Sequence, residues 1–121
     1  MRLAEVLPVE WKRVERAALG LVAFQQSDGS WPTGRFVGAR WADAERAVAA
    51  YALSALGELA RLAKVREREL PEVVLRGTER AIGYLEGQLT RQLTPLELGL
   101  IGRALLANER AEGARLAAEL L

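Results

Sequence analysis

The sequence predicts an all-α fold of outer and inner helical hairpins, and three observations predict it. No run of residues alternates with the period-2 pattern of a half-buried strand. Stretches rich in Ala, Leu, Glu and Arg are divided by clear stops at which Gly, Pro, Asp or Thr gather. One such stretch, "AVAAYALSALG" at 47–57, is apolar or small all the way round, the pattern of a helix that its neighbours cover.

Pro8 suits the first turn of a helix running to about Gln26, with Val14, Ala17, Ala18, Leu21 and Val22 facing inward. Residues 27–42 hold Gly29, Pro32, Gly34 and Gly38 and read as a loop, long enough to need a reason. Asp43 is the expected N-cap of a second helix reaching about Lys64. That helix carries charge only at its ends (Glu45, Arg46, Glu58, Arg61, Lys64), so it is expected to be buried on all sides. After the polar break "VREREL", Pro71 opens a third helix to about Leu89. "TPLE" then sets a capping Thr94, a first-turn Pro95 and Glu97 three residues on, a capping box that starts the fourth helix. That helix ends near Asn108, and 111–121 makes a short fifth.

Gly20, Gly57, Gly77, Gly83, Gly87, Gly99 and Gly102 fall inside these helices. Each costs about 1 kcal/mol against alanine, so they are expected to mark close helix approaches. The segment "RAALGLV" from Arg16 recurs as "RAIGYLE" from Arg80, and "YALSALGEL" from Tyr51 matches "LGLIGRALL" from Leu98. The organisation is one domain: a hairpin over about 8–64, a second over about 71–108, and a terminal helix over about 111–121.

Composition limits the chemistry. The 121 residues make one domain, and a net charge of +1 with both signs interspersed offers no basic stripe for nucleic acid. Cysteine and histidine are both absent, which removes disulfides, thiol nucleophiles, histidine bases and the usual zinc ligand sets. Carboxylates such as Glu10, Glu72 and Glu97 fall on exposed faces or first turns, where they complement helix dipoles, and no paired acids share an apolar wall. The expectation is a non-enzyme with no cofactor and no metal. The start of the chain lacks an apolar signal core, and the longest uncharged stretches, 17–27 and 47–57, are too short to span a bilayer.

One stretch stands apart from the helices around it: "VAFQQSDGSWPTGRF", 22–36. Gln25 and Gln26, then Asp28-Gly29, then Trp31 resemble the QW repeat of the α/α-toroid proteins, a superfamily that includes terpenoid cyclases and protein prenyltransferases. In that repeat the glutamine caps a neighbouring helix and the tryptophan stacks over it. The further run "AVAAYALSALGELARL … AIGYLEGQLTRQLTPLELGLIGRALL" is most similar to the thioester-containing domain of alpha-2-macroglobulin-like proteins. The resemblance covers about Glu15 to Leu121. It departs from that pattern at Ala49, where the family has threonine, and in lacking the Cys-Gly-Glu-Gln thioester sequence.

This resemblance implies part of an α/α toroid, acting as a non-catalytic packing or interaction domain of a protease-trapping parent. A fragment of a cyclase- or prenyltransferase-like enzyme, and a stand-alone self-associating module, are the other two readings. Its nearest acidic pair, Asp43-Ala-Glu45, lacks the Asp-x-Asp-Asp acid of the cyclases. Gln25, Gln26, Asp28, Gly29 and Trp31 are the structural motif. Trp41, Arg35, Arg40, Leu116 and Leu120 are a candidate interaction surface, with Trp41 also suited to stapling the loop onto the second helix. Two hairpins cannot close a ring, so the inner helices are expected to keep free apolar faces. The C-terminal leucines, Leu121 among them, would add to a shared seam in a homodimer or a larger toroid. The compartment is extracytoplasmic in an alpha-2-macroglobulin-like parent and cytoplasmic otherwise.

Overall fold

A computed structural model describes residues 10–32 and 41–121. These form helices α1 (Glu10–Ala23), α2 (Trp41–Val65), α3 (Glu72–Gln88), α4 (Pro95–Ala107) and α5 (Ala111–Glu119), with no strand among the described residues. The chain is all-α. Pro8, expected in a first helical turn, and Gly34 and Gly38, expected in the loop, lie outside the described residues.

The starts of α3 and α4 follow their sequence signals. Pro71 occupies the N-cap of α3 without a side-chain cap bond. At α4 the Thr94 hydroxyl accepts from the Glu97 amide at 3.2 Å, and the Glu97 carboxylate accepts from the Thr94 amide at 2.9 Å, so the capping box is complete. Two boundaries differ. α1 stops at Ala23, because Gln25 and Gln26 leave the helix to build the loop that follows. α2 begins at Trp41, which places Asp43 inside its first turn rather than at the cap; an acidic residue suits either place beside the positive helix end.

Packing runs mainly from α2 to α4 and from α4 to α5, while α1 and α3 touch each other and α2. Leu53 and Leu56 of α2, Val74 and Leu85 of α3, and Ile101 and Leu105 of α4 are the large side chains closed off from solvent. From α1, Ala18 and Val22 join them, Val14 and Leu21 pack partly buried, and Ala17 is exposed.

The expectation that 47–57 is buried all round is not met. Ala49, Ala50, Leu53 and Leu56 are buried, but Val48, Tyr51 and Ala55 face outward, with Tyr51 64% exposed. The cause is the number of neighbours: α1, α3 and α4 surround only part of the α2 circumference. The match of Tyr51 with Leu98 likewise fails in burial, since Leu98 is buried. The two helices instead share their ends. Glu67 after α2 and Glu109 after α4 both take left-handed backbone, with φ of 54° and 60°. In each case the next arginine closes the turn: the Arg68 amide donates to Ala63 at 2.8 Å and the Arg110 amide to Leu105 at 2.9 Å. This is the Schellman ending, with glutamate where glycine is usual.

The glycines divide. A Cβ at Gly57 would lie 2.7 Å from the Ala107 carbonyl oxygen, and one at Gly77 would lie 2.6 Å from the Val22 side chain, so these two hold close approaches. At Gly102 a Cβ would make only an ordinary contact with Ala117, at 3.4 Å. Gly20, Gly83, Gly87 and Gly99 have nothing within 4 Å among the described residues, so packing between these does not account for them.

Candidate functional site

The Gln25–Trp31 loop is seated on α3 by its own side chains. The Gln25 amide donates to the Gly29 carbonyl at 3.0 Å and to the Gly77 carbonyl of α3 at 2.8 Å, and its oxygen accepts from Arg80 at 3.1 Å. Gly77 lies inside α3, so Gln25 bonds a mid-helix carbonyl and does not cap a helix end, as the motif reading expected. The absent side chain at Gly77 makes this possible, because a Cβ there would sit 2.7 Å from the Gln25 oxygen. The capping role passes to the tryptophan. Trp31 is buried, and its indole N–H donates at 2.7 Å to the Leu21 carbonyl, one of the last carbonyls of α1 that lack a helical partner.

The turn between them is fixed from both sides. The Gln26 amide donates to the Ser30 carbonyl at 2.8 Å, and the Gly29 amide to the Gln26 carbonyl at 3.0 Å. Asp28 accepts from the Ser30 amide at 2.9 Å and the Ser30 hydroxyl at 2.6 Å; the hydroxyl also lies 2.7 Å from the Gln26 side-chain oxygen. These Ser30 bonds hold the Asp28 carboxyl below its usual value. Gly29 has φ of 97°, and a Cβ on it would lie 2.1 Å from the Arg80 carbonyl oxygen. Both the backbone conformation and the α3 surface therefore require glycine here.

Two further ties were not read from the sequence. Asn108, at the end of α4, donates to the Leu53 carbonyl of α2 at 3.0 Å and to the Ala104 carbonyl at 2.8 Å, beside Gly57. It does for α2 and α4 what Gln25 does for α1 and α3. Glu97, expected in an exposed or merely dipole-matched place, is 6% exposed and ion-paired with Arg46 of α2. Burial pushes its carboxyl up, but the Arg46 bond and the two Thr94 bonds outweigh burial and hold it below the ordinary glutamate value. This pair joins the starts of α2 and α4.

What remains open is a broad apolar face. One shallow groove runs between α2 and α4, lined by Tyr51, Ser54, Ala55, Glu58, Leu100 and Arg103 among others. A second runs between α1 and α2, lined almost wholly by apolar groups, with Gly20, Leu21, Phe24, Ala55, Glu58 and Leu59 among them. The grooves share Ala55 and Glu58, so they form one surface across α1, α2 and α4. Phe24 is 73% exposed beside it, and Leu96 and Leu106 stand out from α4 at 72% and 63%.

The sequence-predicted surface residues are not brought together on this face. Leu116 lines a separate groove with Glu86 of α3 and Leu89 just after it, and Leu120 and Leu121 are exposed. Arg35 and Arg40 lie outside the described residues, and Trp41 is the first residue of α2, its side chain also outside the description. No group of three or more acidic residues suited to a metal occurs among the described residues, and no described helix is long and apolar enough to cross a membrane. Compared with protein-family models, curated proteins and solved structures, the chain matches none of them.

Proposed function

We propose that this chain is a non-catalytic helical packing and interaction domain whose working surface is the apolar face of α1, α2 and α4. That continuous face is the observation that carries the reading, since apolar patches of this breadth on soluble domains mark interaction sites. The polar groups argue the same way. Glu97 is the one buried carboxylate among the described residues, and Arg46 and Thr94 engage it fully, so no buried acid is left to protonate or deprotonate a substrate. The amide seat of Gln25 on α3 ties two neighbouring helices together, as a packing domain requires, though at a mid-helix carbonyl and not at the helix end that a QW glutamine caps. In an alpha-2-macroglobulin-like, protease-trapping parent, the face would pack against further helices or a protein partner.

The test is a photo-crosslinker, benzoylphenylalanine, placed at position 51 of the chain in the cell that makes it. A polypeptide adduct is expected at position 51 and not at position 83, on the open side of α3. Absence of any polypeptide adduct, or cyclised product from squalene or a prenyl diphosphate, would overturn the proposal.

A further inference from the structure

Resting on the reading of the chain as an interaction domain, the surface also indicates what covers it. We infer that the occupant of the α1–α2–α4 face is a second copy of this chain, related by a two-fold axis through the groove between α2 and α4.

Area is the first argument. Phe24, Tyr51, Leu96 and Leu106 are each more than 60% exposed, and Val48 is 36% exposed. With side chains of these sizes the apolar area on offer is roughly 600 Å² per chain, and the polar rim adds to it; a stable interface takes about 800 Å² from each partner. The face therefore suits a full-sized partner surface rather than a small ligand. The groove between α2 and α4 is correspondingly shallow and lined from two helices only.

Charge is the second. A two-fold interface is self-complementary, so any charge on the patch must meet its opposite on the same patch. The α2–α4 groove carries one acid, Glu58, and one base, Arg103. Arg103 has no acidic partner among the described residues. Glu58 has only Arg61 at 3.7 Å, and both side chains are mostly exposed, so that contact holds little. A two-fold axis at the groove sets Glu58 of one protomer against Arg103 of its partner, twice. A partner of uniform charge would leave one of the two unmatched.

Helix-interior glycines without neighbours among the described residues point the same way. Gly20 lines the α1–α2 groove, and Gly99 lies on α4 between the exposed Leu96 and Arg103. A partner helix crossing close to the backbone gives both a reason that the described residues do not supply.

Sedimentation equilibrium of the full chain, from about 1 to 100 µM, tests the inference. The expected mass approaches twice 13.3 kDa at the upper end. Glu58→Arg and Arg103→Glu, each alone, should weaken association at least tenfold, and the double variant should recover it to within about threefold. Both sites are exposed, so the helical circular dichroism of every variant should match the parent. A monomer throughout this range, single swaps without effect, or a double variant that fails to recover would each overturn the dimer. A monomeric chain that still forms an adduct with a different polypeptide at position 51 would overturn the dimer and leave the interaction-domain reading standing. A monomer with no adduct would overturn both.

Discussion

Gly29 concentrates the logic of this fold in one residue. Its φ of 97° is costly for any side chain, and the Arg80 carbonyl oxygen, 2.1 Å from where a Cβ would be, leaves no room for one. Gly29→Ala should therefore cost about 3 kcal/mol, combining backbone strain with overpacking against a helix that cannot easily move. Chemical denaturation followed by circular dichroism should show the midpoint fall while the slope stays. The sequence already pointed to this turn through Asp28-Gly29 and the spacing to Trp31, but it misassigned the two partners. An amide and an indole N–H are both donors, and only the position of α3 decides which one meets a helix end. Glu97 was legible as a cap and not as a buried ion pair, because Arg46 lies 51 residues away and nothing local marks the meeting. Its carboxyl is held below the ordinary glutamate value of 4.5, so its contribution is fully present above that pH and is lost as pH falls through the lower, folded value. Melting temperature should thus drop between about pH 5 and 3, with Asp28 acting in the same direction, and Glu97→Gln should start lower and fall less steeply over that window.

Among the helices, starts were easier to read than ends and faces. Capping chemistry is local, so Pro71 and Thr94–Glu97 announced α3 and α4 correctly. The matched endings of α2 and α4 passed unnoticed because glutamate is not a residue that signals a left-handed turn. Glycine would adopt that conformation without the Cβ penalty, so Glu67→Gly and Glu109→Gly should each stabilise the chain by about 0.5–1 kcal/mol. The loss of the exposed Lys64–Glu109 contact at 3.5 Å should barely reduce the second gain. Thermal melts of the two single variants check this; a fall in either would mean that the glutamates make contacts worth more than the strain. The all-round apolar pattern of 47–57 was misleading for a related reason. Periodicity reports which faces a helix is able to bury, while the number of neighbours decides which it does bury.

For the molecule as a whole, composition and helix pattern revealed the class, and the resemblance suggested how the hairpins stack. Which face stays open was beyond them, since the positions of Phe24, Tyr51 and Leu106 relative to one another depend on how three helices pack. An interaction domain needs that face open, as it is among the described residues, rather than part of a core that closes on itself. Tyr51→Glu measures this directly, by thermal unfolding at about 1 µM so that association contributes little. With Tyr51 64% exposed, the melting temperature should stay within about 4 °C of the parent. A buried aromatic replaced by a charge would instead lose at least about 3 kcal/mol, a drop of more than about 10 °C, and that result would contradict the account.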